Sequence, residues 1–327
     1  MIYKCHNCGG NVIYDPQRKR MYCAHCEGTD SEEPVSGGGA AQCANCGAPL
    51  TVRAFQSAGK CEHCGCYQIF EERVSGQFTP HLILPFAVSR QEAEKKLKVE
   101  FGGRAFAPSS FLSKATLQKM EGMYVPFFLY DYHVHYDWSG KGTKVRVWTS
   151  GDTEYTETSY YHINRSMEAD FIRIPVDASN GMDDAKMDLV EPYDYQALEN
   201  FQMKYMSGFM AEMYNQGADQ LELRAHRKAE RDTEDLMRQS IAGYSSVTPE
   251  QHNMLVNQRA VDYALMPVWV YEYAYRGETY LFYVNGQTGK VIGKMPISKP
   301  KAIGYTASVF GYVMIIGQII RMIMQYF

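Results

Sequence analysis

The chain has 327 residues, 45% of them hydrophobic and 21% charged, with a formal net charge of −4. This composition is ordinary for globular protein and excludes a wholly disordered chain, and the charge provides no general attraction to nucleic acid or anionic lipid. The N-terminal MIYKCHNCGG meets cysteines where a signal peptide needs an uninterrupted apolar core, so a reducing cytosolic compartment is expected.

All nine cysteines lie by residue 66: Cys5, Cys8, Cys23, Cys26, Cys43, Cys46, Cys61, Cys64 and Cys66. Adding 38 to each of the first four positions gives the next four, and CHNCGG matches CANCGA as CAHC matches CEHC. Each copy reads C-x2-C, fourteen residues, C-x2-C, the spacing of a zinc ribbon in which two knuckles bring four thiolates to one ion. Two structural Zn2+ are expected, held by Cys5, Cys8, Cys23 and Cys26 and by Cys43, Cys46, Cys61 and Cys64. Four thiolates close the coordination sphere and leave no place for water or substrate. His25 and His63 sit inside knuckles already supplied with cysteine and are expected to face solvent. Gly9 and Gly47 fit the tight turn that aims backbone amides at the sulfurs. Cys66 has no counterpart, because Gly28 holds its place in the first copy. NVIYD and PLTVR have strand-like composition.

Residues 31–42 are acidic and then glycine-rich, and read as a flexible linker. Through Val74 there are seven Lys or Arg against eight Asp or Glu, which together with the thiolates argues against nucleic-acid binding and makes protein recognition the better expectation.

Beyond residue 76 the cysteines stop and aromatic strand-like runs begin. YVPFFLYDYHVHY (124–136) aligns with LMPVWVYEYAYRG (265–277) at Pro126 with Pro267, Phe128 with Trp269, Tyr130 with Tyr271 and Tyr132 with Tyr273. LILPFAVSRQEAEKKL (82–97) resembles IRIPVDASNGMDDAKM (172–187). These pairs suggest a duplicated strand, helix, strand module whose second copy carries a helical insertion at about 193–247. Within it, Tyr205, Met206, Phe209, Met210 and Met213 have helical spacing, and a charge-rich helix is expected from about Asp219 to Ile241. ETYLFYVNGQTGKVIG reads as two strands around a turn at Asn285-Gly286. GQTGK lacks the glycine spacing and hydroxyl of a phosphate-binding loop. His133 and His135 share one strand face, with His162 as a distant third, but structural roles are expected for them. No nucleophile elbow, HExxH or dinucleotide fingerprint appears, so no enzyme is expected.

From Ala302 to Ile320 there are nineteen uncharged residues, about 28 Å as a helix, the thickness of a bilayer core. Lys294, Lys299 and Lys301 precede it, so a single-pass tail anchor in the cell membrane is expected, with the N-terminal bulk in the cytoplasm. Gly304, Ala307, Gly311, Met314, Gln318, Arg321 and Gln325 form one narrow stripe that is small at one end and polar at the other. That stripe suits packing against a membrane helix of another copy or another protein.

Taken together, the paired CxxC ribbons, IPVDAS, EPYDYQALENFQMKYMSGFMAEMY, VNGQTGKVIG and the hydrophobic terminus resemble bacterial zinc-ribbon membrane proteins of the YdjG-like type, sometimes labelled TFIIB-type or primosomal helicase-like. The resemblance covers nearly the whole chain. It implies a membrane adaptor that helps recruit cytosolic membrane-stress factors, of phage-shock or flotillin-like kind. The helicase label finds no support, since no Walker A lysine is present and two helicase lobes do not fit. The expected architecture is multidomain α+β: two N-terminal four-cysteine zinc ribbons (1–30 and 43–76) joined by the linker, a duplicated α+β domain (77–298), and one C-terminal transmembrane helix (302–327).

Overall fold

A computed structural model describes residues 1–326. The first four-cysteine module consists of β1 (Ile2–Cys5), β2 (Val12–Asp15), β3 (Arg20–Cys23) and β4 (Glu32–Val35), with β1 antiparallel to β4 and β2 antiparallel to β3. The acidic half of the expected linker is therefore ordered strand, pairing from Cys5↔Glu32 to Ile2↔Val35. It satisfies backbone groups that β1 would otherwise leave as an open edge. The irregular part is the glycine run after it, where Gly37, Gly38 and Gly39 all take positive φ. In the second module PLTVR does not form a strand. The hairpin there is β5 (Gln56–Lys60) with β6 (Tyr67–Ile69).

The body follows as β7 (Leu82–Ile83), α1 (Arg90–Phe101), α2 (Lys114–Leu117), β8 (Glu121–Ser150), β9 (Thr153–Asp177), α3 (Asp184–Val190), β10 (Glu199–Asn200), β11 (Met210–Glu212), α4 (Ala218–Ser240), β12 (Ser246–Tyr275), β13 (Glu278–Asn285), β14 (Val291–Gly293) and α5 (Lys299–Tyr326). The class is α+β, as the cysteine and strand patterns imply. One ten-stranded sheet runs β10-β7-β12-β8-β11-β5-β6, with β9 on β8 and β13 and β14 beyond β12. The β5–β6 hairpin is thus part of the body's sheet, joined through β11, and the boundary expected after residue 76 is crossed by hydrogen-bonded strands.

The segment FQMKYMSGFMAEMY, expected as a helix, is a 3-10 turn at Met203–Met206 followed by β11. Tertiary contacts override its helical spacing. Gly208 has φ +96°, and a Cβ there would lie 2.9 Å from Cβ of Ile13. Ser207 holds one edge of β2 through two bonds: its Oγ donates to the Val12 carbonyl at 2.8 Å, and its own carbonyl accepts from the Tyr14 amide at 2.9 Å. This short segment seats the first four-cysteine module on the body, and β11 immediately after it holds the second.

Strand register relates two parts of the body by internal symmetry, and one of the two alignments expected for them moves. In the β8–β12 pair Val125 faces Met266, Pro126 faces Leu265 and Pro267 faces Tyr124. Because Pro126 and Pro267 head equivalent stretches, this register places a pseudo-two-fold axis between Val125 and Met266. The axis carries β7 onto β11: Leu82 and Ile83 lie parallel to Ala264 and Leu265, just as Met210 and Ala211 lie parallel to Met123 and Tyr124. It carries α1 onto α4, whose N-caps Ser89 and Gly217 each receive the side chain three residues on, Glu92 or Gln220, at the backbone amide. It carries Asp177 onto Asn285, after which the Ala178 amide meets the Pro126 carbonyl and the Gly286 amide meets the Pro267 carbonyl, both at 2.9 Å. The counterpart of 82–97 is therefore 210–225 and not 172–187, which contains the end of β9 and the start of α3. What was expected as a helical insertion at 193–247 contains the second copy's own first strand and helix.

The two copies differ chemically at the equivalent positions Asp177 and Asn285. Asn285 donates from Nδ2 to the carbonyls of Val190 and Pro192. Asp177 is fully buried, accepts from Arg224 Nη1 at 2.9 Å through Oδ1, and leaves Oδ2 without a partner. Burial outweighs the Arg224 attraction and pushes its pKa up to about 6. A carboxyl whose folded pKa exceeds its unfolded value binds protons more tightly when folded. Its contribution to stability is thus greatest below about pH 4 and is lost as pH rises through 6. Asp177→Asn is expected to remove this dependence. The difference between wild-type and variant urea unfolding energies should change by as much as about 3 kcal/mol between pH 4 and 7. A flat difference would show that another group sets the slope.

Candidate metal centres

Each four-cysteine set is built from two turns of like geometry. Gly9 and Gly47 take φ +69° and +71°, and their amides close the turn onto the carbonyls of Cys5 and Cys43 at 2.8 Å. The amides aimed at sulfur are the next ones: Gly10 on Cys8 and Ala48 on Cys46. In the second knuckles the Gly28 amide donates to Cys26 and the Cys66 amide to Cys64. Cys66 therefore does with its backbone what Gly28 does, including the carbonyl that accepts from the first cysteine of the pair. Its side chain is buried at 6% exposure, and burial raises its thiol to about 11, which makes it a poor nucleophile.

The four sulfurs of Cys5, Cys8, Cys23 and Cys26 lie within 4.8 Å of one another, as do those of Cys43, Cys46, Cys61 and Cys64. The closest pairs are Cys5–Cys26 at 3.5 Å, Cys8–Cys23 at 3.6 Å, Cys43–Cys64 at 3.7 Å and Cys46–Cys61 at 3.8 Å. Four sulfurs about 2.3 Å from a central ion stand roughly 3.8 Å apart at tetrahedral angles. Both sets therefore fit a tetrahedral ion with thiolate ligands, and two metal sites are indicated. The first cysteine of each knuckle is buried and the last exposed, so both centres sit half in the surface.

Two polar neighbours had no counterpart in the cysteine-based expectations. Ser31 Oγ lies 3.3 Å from Cys5 Sγ, and the Asn45 side chain donates to Cys64. Asn45 also accepts from Lys4, which bonds Asn11 as well, so a lysine of the first module reaches a group touching the second set of sulfurs. The recurrence of Asn7 and Asn45 inside the matching knuckles was the available signal.

The histidines lie elsewhere. His25 and His63 are exposed and belong to neither sulfur group. His133 pairs with Asp170 at 2.7 Å and His135 with Asp137 at 3.0 Å, while His162 stands 3.5 Å from Glu250. The first two are ordinary hydrogen-bonded pairs on the sheet surface. At the other end of the chain, Lys299–Gln325 is long and apolar enough to cross a membrane, with mean hydropathy 1.7 in its best window. Gly304, Ala307, Met314, Gln318, Arg321 and Gln325 are exposed on it and Gly311 is nearly so, and no neighbour lies within 4 Å of where a Cβ on Gly304 or Gly311 would stand.

These features define an α+β protein with two candidate metal-binding modules of four cysteines each, set on a long-stranded sheet, and one apolar C-terminal helix. A relative from Bacillus subtilis (strain 168), the uncharacterized protein YdjG, is 32% identical over 320 residues and is matched over 94% of each chain. The chain belongs to the YdjG family. No protein-family model and no solved structure matches it.

Proposed function

We propose that the protein is a membrane-anchored cytosolic scaffold that acts by binding other proteins and catalyses no reaction of its own. In this reading α5 is a single-pass tail anchor, with Lys294, Lys299 and Lys301 holding the body on the cytoplasmic side. The two ions are structural zinc, the four-cysteine modules are TFIIB-type zinc ribbons, and the stripe from Gly304 to Gln325 packs against a partner helix in the membrane.

The observation that supports a binding role most directly is the arm formed by β8, β9 and β12. β8 and β12 have 30 residues each, roughly 100 Å of extended chain, where strands of five or six are usual. β12 leaves β8 after Thr143↔Ser246, and residues 144–159 continue as a two-stranded hairpin with Tyr160 at its foot. Val147, Trp148, Tyr155 and Tyr160 are exposed there, Tyr160 at 81%. Trp148 faces Tyr155 across the ladder and stacks on it with centroids 5.6 Å apart, which stiffens a hairpin that has no core beneath it. Rigid exposed aromatics flanked by Lys144 and Arg146 are the residue types that anchor protein interfaces. The membrane-stress factors implied by family resemblance are the first partners to test.

The test is cross-linking of the full chain in native membranes followed by mass spectrometry, with Trp148→Ala/Tyr160→Ala alongside. The expected result is one dominant partner whose yield falls at least tenfold in the variant while both metals remain bound. Equal yields would reject the arm as the binding surface. Tight DNA or RNA binding by the full chain, with affinity falling steeply as salt rises, would replace the scaffold reading with a nucleic-acid one.

A further inference from the structure

The apolar helix does not leave the body on a free tether. The Ser298 amide donates to the Phe106 carbonyl at 2.8 Å, Lys301 Nζ donates to the Ala107 carbonyl at 2.8 Å, and the rings of Phe106 and Tyr305 meet edge to face at 5.5 Å. The loop after α1 is thereby fixed against the first turns of α5. Between that loop and the segment entering the helix lies a cleft of about 420 Å³, lined by Arg104, Phe106, Lys294, Met295 and Ile297.

The chemistry of this cleft is two-sided. Its walls are largely apolar, and Ile297 is 61% exposed. Its rim is cationic: Lys294 makes no ion pair among the described residues, nor does Lys299 at the start of α5, and Arg104 has one, to Glu100 at 3.2 Å, with both side chains about half exposed. A pair that exposed is weak and can give way to a better acceptor. The positive charge extends beyond the rim. Residues 90–119 and 290–301 hold eleven Lys or Arg against three Asp or Glu, leaving 22 against 34 in the rest of the chain. The two segments touch where α1 packs beside β14. An acidic protein has thus gathered a basic surface at the foot of its apolar helix.

We propose that this cleft binds the headgroup of an anionic phospholipid. Arg104 and Lys294 take the phosphate, the guanidinium offering paired N–H donors, and the acyl chains run over Ile297 and down α5 beside Tyr305. The proposal rests on α5 spanning the membrane. If it holds, the body is pinned to the bilayer surface in one orientation, which sets the direction of the β8–β9 arm.

The experiment uses the full chain in detergent with an equimolar mixture of phosphatidylglycerol and phosphatidylcholine, and counts retained lipids by native mass spectrometry. The expected result is several-fold more bound phosphatidylglycerol than phosphatidylcholine. Arg104→Glu/Lys294→Glu should abolish the preference with two metals still bound, whereas Arg227→Glu, on exposed α4, should keep it. Equal retention of the two lipids, or equal loss of preference in both variants, would overturn the site. Carbonate extraction of membranes separates the two ideas: a chain that stays in the bilayer without lipid preference defeats the cleft alone, and a chain that washes off defeats the membrane anchor and the cleft with it.

Discussion

Cys64→Ser is expected to lower the metal content from two ions per chain to one, and Cys66→Ser to leave it at two. The pair of variants is informative because the residues are two positions apart in CEHCGC and only one of them belongs to a four-sulfur set. Cys64 places its sulfur 3.7 Å from Cys43 in the tetrahedral set, while the Cys66 sulfur points into the module and has only a long contact to the Tyr67 carbonyl. Structural zinc bound to four ligands is worth on the order of 10–16 kcal/mol in isolated peptides, so an even share per thiolate is about 2.5–4 kcal/mol. The loss does not stay local. The β5–β6 hairpin carrying this site is hydrogen-bonded to β11, which in turn pairs with β8, so opening the second module strips one edge of the body's sheet. The expected signature of Cys64→Ser is one ion by elemental analysis after chelator challenge, together with a lower unfolding midpoint for the whole body. Cys66→Ser should cost only about 1–3 kcal/mol, for a hydroxyl buried where the thiol was. Two ions retained by Cys64→Ser under chelator would sink the ligand assignment.

The metal sites were legible in the sequence because a knuckle constrains residue type and spacing together: sulfur chemistry requires cysteine, and the turn requires the two intervening residues. The charged helix was legible for a similar reason, since α4 buries Leu221, Ala225, Ala229, Thr233 and Met237 at a regular four-residue step and exposes most of the charges between. The pairing of 82–97 with 210–225 was hidden because what the two share is geometry. Ser89 and Gly217 are both N-caps, Glu92 and Gln220 both fold back on them, and Phe86 against Trp269 repeats as Tyr214 against Phe128, yet few residues are identical. IRIPVDAS matches LILPFAVS in letters because it too is a strand exit with a proline followed four residues later by a serine. Ser207-Gly208 was missed because its role depends on Val12 and Ile13, nearly two hundred residues earlier, and no local pattern encodes that contact. The arm's great length was equally hidden, since Ser139 to Gly142 looks like a place where a strand should stop, yet β8 runs through it to Ser150.

Phe209→Ala should be among the most damaging substitutions in the body and should also loosen both metal modules. Phe209 stacks on Phe86 with centroids 4.1 Å apart and planes 5° from parallel, and its ring lies 5.7 Å from Tyr124 and 6.0 Å from Trp269. The packing admits no slack, because a Cβ on Gly122 would stand 2.6 Å from the Phe209 ring. Emptying such a site in a close-packed core costs about 3–5 kcal/mol. The position adds a second effect. Phe209 lies between Gly208, which seats the first four-cysteine module, and Met210, where the strand holding the second begins, so it fixes the one segment on which both modules rest. Phe101→Ala is the control. Phe101 is equally buried and packs against Phe111 and Phe282 at 5.8 and 5.3 Å, but it stands on α1. Both variants should lose similar stability in urea. With a chromogenic chelator under native conditions, Phe209→Ala should release metal at least several-fold faster than Phe101→Ala, because local opening of the seat exposes the sulfurs without global unfolding. Equal release rates would mean that the modules hold their ions independently of how they are docked.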